Sequence, residues 1–493
     1  MKKIVRCVSL AAAALTLLSA CMGNHGDHSE GHGERAPSDV VIVPASEGPW
    51  ALVPLKDVNA DPDVVEVHLE ARIASFEYRP GKHVEAWTYN GLVPGPLIEA
   101  KVGDRVIVHF TNSLTKDTTV HWHGQRITAA MDGTLAMQNA IKPGDSFTYD
   151  FVVQDEGLYW YHPHMNADEQ VARGLYGALV VRGPGDDAVE VASEELIVLH
   201  DMHIDENNKI VLSADMASLM SGREGNYVFA NGRLRPIKDL KAGERHRLRI
   251  VNAASARFFR LALPGHSFHK VATDGHLLEA PVELDEVLLT PGERVDLIVT
   301  ATGAPASQVD LMSLPYERGH GTGAAAAFPL ITLRYSAHEP VATPALPATL
   351  ASFAPLAQSS GSVELVLSED PMDHGDGGHG GHAMDPVFRI NGEAFPNITP
   401  ITATLGSTQT WTIVNDSEMD HPFHLHGFFF EAIERAGVAA PYRAKQDTIN
   451  VAAFETVRIL VTFDGFPGTW MYHCHILEHE ERGMMGELVV TAP

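Results

Sequence analysis

Three stretches of this chain repeat one pattern of polar and apolar positions. They are Val102-Gly-Asp-Arg-Val-Ile-Val-His-Phe-Thr-Asn112, Ala242-Gly-Glu-Arg-His-Arg-Leu-Arg-Ile-Val-Asn252 and Leu405-Gly-Ser-Thr-Gln-Thr-Trp-Thr-Ile-Val-Asn415. Each has a glycine, then an alternating run, then an asparagine nine residues after the glycine. Alternation with period two predicts a half-buried β-strand, and Gly and Asn predict the turns at its ends. The copies recur every 140 to 165 residues, so the repeated unit is a whole domain. Short β-rich runs with Gly/Pro turns fill all three regions, and Pro143-Gly144 and Pro291-Gly292 precede matching strands. A length of 493 residues suits about three domains, and 45% apolar residues allow each a core. The expected architecture is all-β, with three consecutive sandwiches over residues 47–184, 185–336 and 362–493. Residues 337–361, rich in Ala, Pro and Ser, read as an extended and exposed connector.

The copies differ beyond the asparagine. Nine residues after Asn112 stands His121, and nine after Asn415 stands His424. A second histidine comes two residues later in each, at His123 and His426. The same offset in the middle copy holds Leu261, Ala262 and Leu263. A second alignment agrees: Gly157 precedes His162-Pro163-His164 by five residues, and Gly468 precedes His473-Cys474-His475 by the same five. The outer domains thus offer eight paired histidines, enough to surround a metal cluster where they meet. The third domain adds a thiolate, Cys474, with His421 before it and His479 and Met484 after it. Soft Cys and Met sulfur with imidazole nitrogen suits a blue, electron-transfer copper, with Met as the weak axial ligand. Successive side chains of a strand point to opposite faces, so His473 and His475 face away from Cys474 and can hold metal beside that first site. A lone His-x-His pair is usually a surface or structural feature. Four such clusters in one chain, one of them wrapped around a cysteine, are a ligand set of ten His, one Cys and one Met.

These motifs resemble the multicopper oxidases, the family of laccases, bilirubin oxidases and bacterial cuprous oxidases. The resemblance covers roughly residues 50 to 493. It implies cupredoxin-like Greek-key sandwiches and four copper ions: one type 1, one type 2 and two type 3. On the resemblance, His421, Cys474 and His479 are type 1 ligands with Met484 axial, and His121 and His424 are type 2 ligands. His123, His162, His164, His426, His473 and His475 match the type 3 pair, and no ligand position is missing. The implied reaction is four one-electron oxidations coupled to reduction of O2 to water. Asp132 and Glu480 match acidic residues that relay protons in relatives, and Met419 matches a methionine near the substrate copper of cuprous oxidases. Electrons are expected to enter through an exposed edge of His479 or His421. Trp122, Trp160 and Trp470 lie beside ligands and read as packing that excludes solvent.

Composition adds limits. A formal net charge of −27 argues against a nucleic-acid partner and favours cationic substrates, copper ions included. The N-terminus has a basic start and a short apolar run, Val8 to Leu18, which reads as a signal peptide over residues 1–20. Leu18-Ser19-Ala20-Cys21 resembles a bacterial lipobox, so Cys21 is the expected lipidation site. Cleavage there removes Cys7 and leaves Cys474 the only free thiol, so no intrachain disulfide forms. Met22 rather than Asp comes next, so in a two-membrane bacterium the expectation is anchoring at the periplasmic side of the outer membrane. The chain is separately expected to be a monomer. Residues 21–46, with His25, His28 and His32, read as a flexible tether. The strip 371–386 carries Met372, His374, His379, His382 and Met384 among glycines, soft donors suited to weak copper capture. It favours Cu(I) as substrate, with small phenols or aromatic amines as the laccase-like alternative. A non-enzymatic copper-sequestering lipoprotein is the reading from another class, and the complete ligand set weighs against it.

Overall fold

A computed structural model of the chain describes residues 40–212, 215–320, 323–336, 345–370 and 386–493. Cys21, the tether histidines and the Met/His strip through residue 385 lie outside the described residues. The described strands form six sheets, which fall into pairs along the chain. In the first domain one sheet runs Lys82–Tyr89, Val64–Arg79, Arg105–Asn112, Ser146–Val152. The facing sheet runs Gly95–Lys101, Gly177–Arg182, Gly157–His162, His121–His123. The middle domain has sheets of six and five strands, and the third has seven and five. No helix among the described residues is long and apolar enough to cross a membrane.

The repeated segments form equivalent strands, Arg105–Asn112, Arg245–Asn252 and Thr408–Asn415. Each pairs in parallel with an earlier strand of its sheet: Val64–Arg79, Ser193–Met202 and Gly361–Glu369. A parallel neighbour cannot be reached by a hairpin. The chain crosses to the facing sheet in between, the crossover expected of Greek-key sandwiches. Gly103, Gly243 and Gly406 sit at φ of 94°, 82° and 85°, a region that favours glycine, and they turn the chain into each strand. The terminal asparagines do one job three times. The carboxamide oxygen accepts the N–H of the residue two further on: Leu114, Ala254 or Ser417. The amide nitrogen donates to carbonyls of two later segments, such as Lys116 and Ile141 for Asn112 and Met419 and Val451 for Asn415. Each asparagine therefore brackets the buried connection that leads to the next strand, which in the outer domains carries the histidines.

Alternation predicts half-buried strands. Arg105–Asn112 alternates as expected, but every residue of Arg245–Asn252 is buried. Its polar face is roofed over. Arg247 and Arg249 pair with Asp296 at 2.5 and 3.1 Å, and Arg249 reaches Asp186 at 2.8 Å. Two boundary expectations also change. The end of the expected tether is docked: Val41 N donates to Asn226 O at 2.8 Å, and Val40, Val41 and Val43 pack on the cores. Apolar valines at these positions bury area, which free tether residues do not. The connector is likewise not fully extended into solvent. Leu346 and Leu350 pack on Val189, Val271 and Ile298, and Leu350 N donates to Glu279 O.

Each sandwich has its own apolar core. A fourth cluster joins the domains: Tyr78, Trp160 and Tyr176 of the first, Val198 and Phe229 of the middle, and Leu477 of the third. An apolar core between domains fixes their relation, as a polar interface would not. The residues that meet at the domain boundary therefore belong to a packed apolar core of their own.

Candidate metal centre

The third domain brings its two histidine motifs together by strand pairing. His421–Leu425 lies antiparallel to Gly468–Cys474, with Phe423 opposite Cys474 and His424 opposite His473. Side chains on one strand alternate between faces, so this register sorts the donors. Cys474 Sγ lies 3.5 Å from His421 Nδ1 and 3.7 Å from His479 Nδ1, and those two nitrogens are 3.2 Å apart. His479 arrives on the short helix Leu477–Glu481. Met484 returns beside them, with its side chain fully buried in the same core and its carbonyl accepting from Cys474 N at 3.1 Å.

His473 joins a second group. Its Nε2 lies 3.3 Å from His164 Nε2 and 3.1 Å from His426 Nε2. His123, His162 and His475 form a third group, and His121, His123 and His424 a fourth. In each, the donor atoms lie within 4.8 Å of one another and all residues are buried. The first domain supplies its histidines through the same device, with His121 opposite His162 in the paired strands His121–His123 and Gly157–His162.

These groups fit a metal by two tests. Nδ1 of His121, His162, His424 and His473 lies 2.8 to 2.9 Å from a backbone carbonyl, of Asp132, Pro163, Asp447 and Cys474. That bond places the proton on Nδ1 and leaves the Nε2 lone pair free. The outcome is a set of orphans: His121 Nε2, His162 Nε2, His424 Nε2, His123 Nδ1 and both nitrogens of His475 are buried without a protein partner. So many unsatisfied nitrogens in one place are costly unless an ion completes them. Burial, helped by neighbouring imidazoles, also holds His123, His162, His164, His426, His473 and His475 well below their ordinary pKa. Neutral imidazole is the ligating form. Burial pushes the Cys474 thiol up, so metal binding there releases a proton.

Three sequence models described as multicopper oxidase match residues 72–186, 194–335 and 370–493. Among curated proteins, the chain is 33% identical over 448 residues to Multicopper oxidase MmcO of Mycobacterium tuberculosis, covering 83% of this chain and 84% of that one. It is 30% identical over 458 residues to Multicopper oxidase mco of Staphylococcus aureus, covering 90% and 92%. Among solved structures it resembles a Campylobacter jejuni multicopper oxidase titled a metallo-oxidase, with TM-score 0.82, 32% identity, and coverage of 93% and 98%. The chain belongs to the multicopper oxidase family. It is a copper-dependent oxidoreductase with O2 as acceptor, and its sandwiches are cupredoxin-like.

The other expected residues of this multicopper oxidase fall into place unevenly. Asp132 is fully buried, with Oδ2 at 2.9 Å from His426 Nδ1 and Oδ1 at 3.3 Å from His121 Nδ1. Glu480 is also buried, with Oε2 at 3.2 Å from His473 Nδ1 and Oε1 at 3.5 Å from His164 Nδ1. Burial, with Glu481 and Asp168 nearby, holds its pKa well above the carboxylate range. Of the three tryptophans, Trp160 stacks on His162 at 4.1 Å, while Trp122 and Trp470 pack on other aromatic rings. Met419 is fully buried, and its carbonyl accepts from Asn415 and Ser417.

The exposed ligand edge does not exist. His421 and His479 are both fully buried. His479 Nε2 donates to Met220 O at 2.8 Å, from the middle-domain helix Met216–Ser221, and Phe388 stacks on its ring at 3.9 Å. His421 Nε2 lies 2.9 Å from Ser417 Oγ and 3.3 Å from Glu369 Oε1. A middle-domain segment clamps the approach to His421: Gly319 bridges to Met419, and Asp420 N donates to Arg318 O at 2.8 Å. A Cβ on Gly319 would lie 1.9 Å from Glu418 O, so only glycine fits this crossing. Met220, Phe388, Glu369, Arg318 and Gly319 carry no motif. Of these, only Glu369 and Phe388 stand out in the sequence, each two residues from the Met/His strip 371–386.

Proposed function

We propose that this oxidase carries four coppers and that its substrate is Cu(I). His421, Cys474, His479 and Met484 would hold the type 1 ion. His121 and His424 hold type 2. His164, His426 and His473 hold one type 3 ion, and His123, His162 and His475 the other; the groups in which these donors lie support this division. Bound copper would supply one-electron exchange at each of the four ions, together the four electrons that O2 needs to become water. The backbone from Cys474 to its neighbours is the covalent link between them.

Two buried carboxyls reach the histidine cluster, Asp132 beside His121 and His426 and Glu480 beside His164 and His473. We assign them the protons that water formation needs. Glu480→Gln keeps the shape and removes the exchangeable acid. Turnover should fall by roughly a hundredfold while the blue colour stays. O2 uptake by the copper-loaded variant measures this, and an undiminished rate would take Glu480 out of the relay.

The substrate reading rests on the covered type 1 edge. The polar way out from His421 runs through Glu369, whose carboxylate takes a short hydrogen bond from His320 Nε2, and on to exposed Glu418 at 3.9 Å from His320 Nδ1. Burial acts to raise the pKa of Glu369, but the bonds from His320 and His421 outweigh it and keep the carboxylate ionised. A carboxylate and an imidazole receive a small cation. A phenol ring, by contrast, cannot lie against either buried histidine. The similar Campylobacter jejuni protein is titled a metallo-oxidase, which supports the same reading. His320→Ala should lower kcat/KM for Cu(I) by about tenfold and leave a phenol's unchanged or higher. Unchanged cuprous kinetics would favour the laccase-like alternative. We extend the reading to Met372, His374, His379, His382 and Met384 as a collecting strip, and to Met419. Deletion of residues 372–384, read in the same assay, tests the strip.

The lipobox-like Leu18-Ser19-Ala20-Cys21 supports a chain held to the outer membrane's periplasmic side through lipid on Cys21. Cys21→Ala should shift the protein from the membrane to the soluble fraction with full specific activity. Fatty acid that fails to label the wild type would refute the anchor.

A further inference from the structure

Arg294 belongs to the middle domain, which contributes no histidine to the clusters. Its side chain is nevertheless fully buried against them. Nη1 and Nη2 donate to the two carboxylate oxygens of Asp447, each at 2.6 Å. Nε donates to Leu158 O of the first domain at 3.2 Å, and Nη2 also to Asp274 O at 3.1 Å. One guanidinium thus ties all three domains together.

Asp447 converts that tie into ligand geometry. Its Oδ1 lies 3.1 Å from His123 Nε2, and its carbonyl lies 2.9 Å from His424 Nδ1. The two imidazoles, from different domains, stack at 3.8 Å with 11° between planes. Asp274 Oδ2 accepts the backbone N–H of Asp447 and of Thr448, at 3.2 and 3.1 Å, and its Oδ1 accepts Arg294 N. There is no slack. A Cβ on Gly124 would lie 2.3 Å from Arg294 Nη2, and one on Gly292 2.7 Å from His475 Cδ2. Burying a guanidinium and two carboxylates is expensive, and apolar side chains often serve stability as well. What apolar side chains could not do is orient two imidazoles.

We infer that Arg294, acting through Asp447, is a positioning residue for the metal cluster: it turns His424 Nε2 and His123 Nδ1 toward their ions, so the ligand-free middle domain sets type 2 occupancy. This rests on the four-copper assignment above. Both orphaned nitrogens are the ones left over once Asp447 and Thr448 have engaged the opposite side of each ring.

The test uses the full chain loaded with copper. Arg294→Lys keeps the charge and loses the paired donors. Metal analysis and electron paramagnetic resonance read type 1 and type 2 copper separately. The expected result is an unchanged type 1 signal and blue band, with type 2 occupancy lower by about tenfold or more. A variant with wild-type copper content and an unaltered type 2 signal overturns the role alone. A wild type that itself lacks a type 2 signal overturns the copper assignment and this role with it. If Arg294→Lys does not fold, Asp447→Asn breaks the same charged fork from its other end and leaves the backbone carbonyl that faces His424. A folded Asp447→Asn protein with a disturbed type 2 signal supports the role, and one with a wild-type signal overturns it.

Discussion

Cys474→Ser yields a folded, colourless protein whose oxidase activity is lower by at least about a hundredfold. Cys474 is the only cysteine among the described residues, and its Sγ lies in one buried group with His421 and His479. Thiolate bonding gives a blue copper its colour and its strong electronic coupling. The substitution removes one buried atom's identity and little volume. Cys474 Sγ accepts from Ile476 N at 3.4 Å, a bond that a serine oxygen can keep. Absorption of the copper-loaded variant, far-UV circular dichroism and O2 uptake are the measurements. A blue band in folded Cys474→Ser would show that the thiolate is not a ligand. Because His473 and His475 belong to different groups from Cys474, the histidine cluster should still take up metal. Residual copper near three per chain would separate loss of one site from collapse of both.

Much of the fold is legible in the sequence because its information is local. A glycine, an alternating run and an asparagine recur, and the three strands they predict share length, parallel partner and asparagine bonding. The ligand candidates are legible for a related reason. His121 and His424 stand at one offset from equivalent asparagines, and the structure brings both into one group with His123. What stays hidden depends on surfaces that meet only after folding. The alternating strand Arg245–Asn252 gives no sign that Asp186 and Asp296 cover its arginines. Val40, Val41, Val43 and Leu350 look like linker because their burial partners are far away in sequence. An open edge at His479 is the natural expectation because the ligand motif contains nothing of Met220, more than 250 residues earlier, whose carbonyl closes it. Asp447 and Arg294 are 153 residues apart and carry no ligand motif, yet they contact two imidazole rings or the groups that do. Spacing along one chain announces donors. It does not announce the groups from another domain that aim them.

Arg223→Ala should be strongly destabilising, by roughly 3–5 kcal/mol. Arg223, from the middle domain, donates from Nε to Glu478 of the third at 2.5 Å and from Nη2 to Asp168 of the first at 2.9 Å. Its side chain is 13% exposed and that of Glu478 0%, so solvent screens the pair little. Glu478 Oε2 already lacks a partner, and loss of Arg223 would strand the whole carboxylate. An unpaired buried charge costs more than the pair itself contributes. The double variant Arg223→Met with Glu478→Met should therefore recover most of the loss, to within about 1–2 kcal/mol of wild type. Glu478 sits one residue before His479 on the helix Leu477–Glu481, so the failure should be felt at the type 1 site. Blue absorption should vanish at lower denaturant in Arg223→Ala than in wild type, and the double variant should restore it. Denaturant titrations followed by blue absorption and by tryptophan fluorescence measure both effects. A single variant as stable as wild type would show that the apolar cluster around Trp160 and Leu477 holds the domains by itself. A double variant no better than the single would show that the pair contributes directional bonds, with charge compensation secondary.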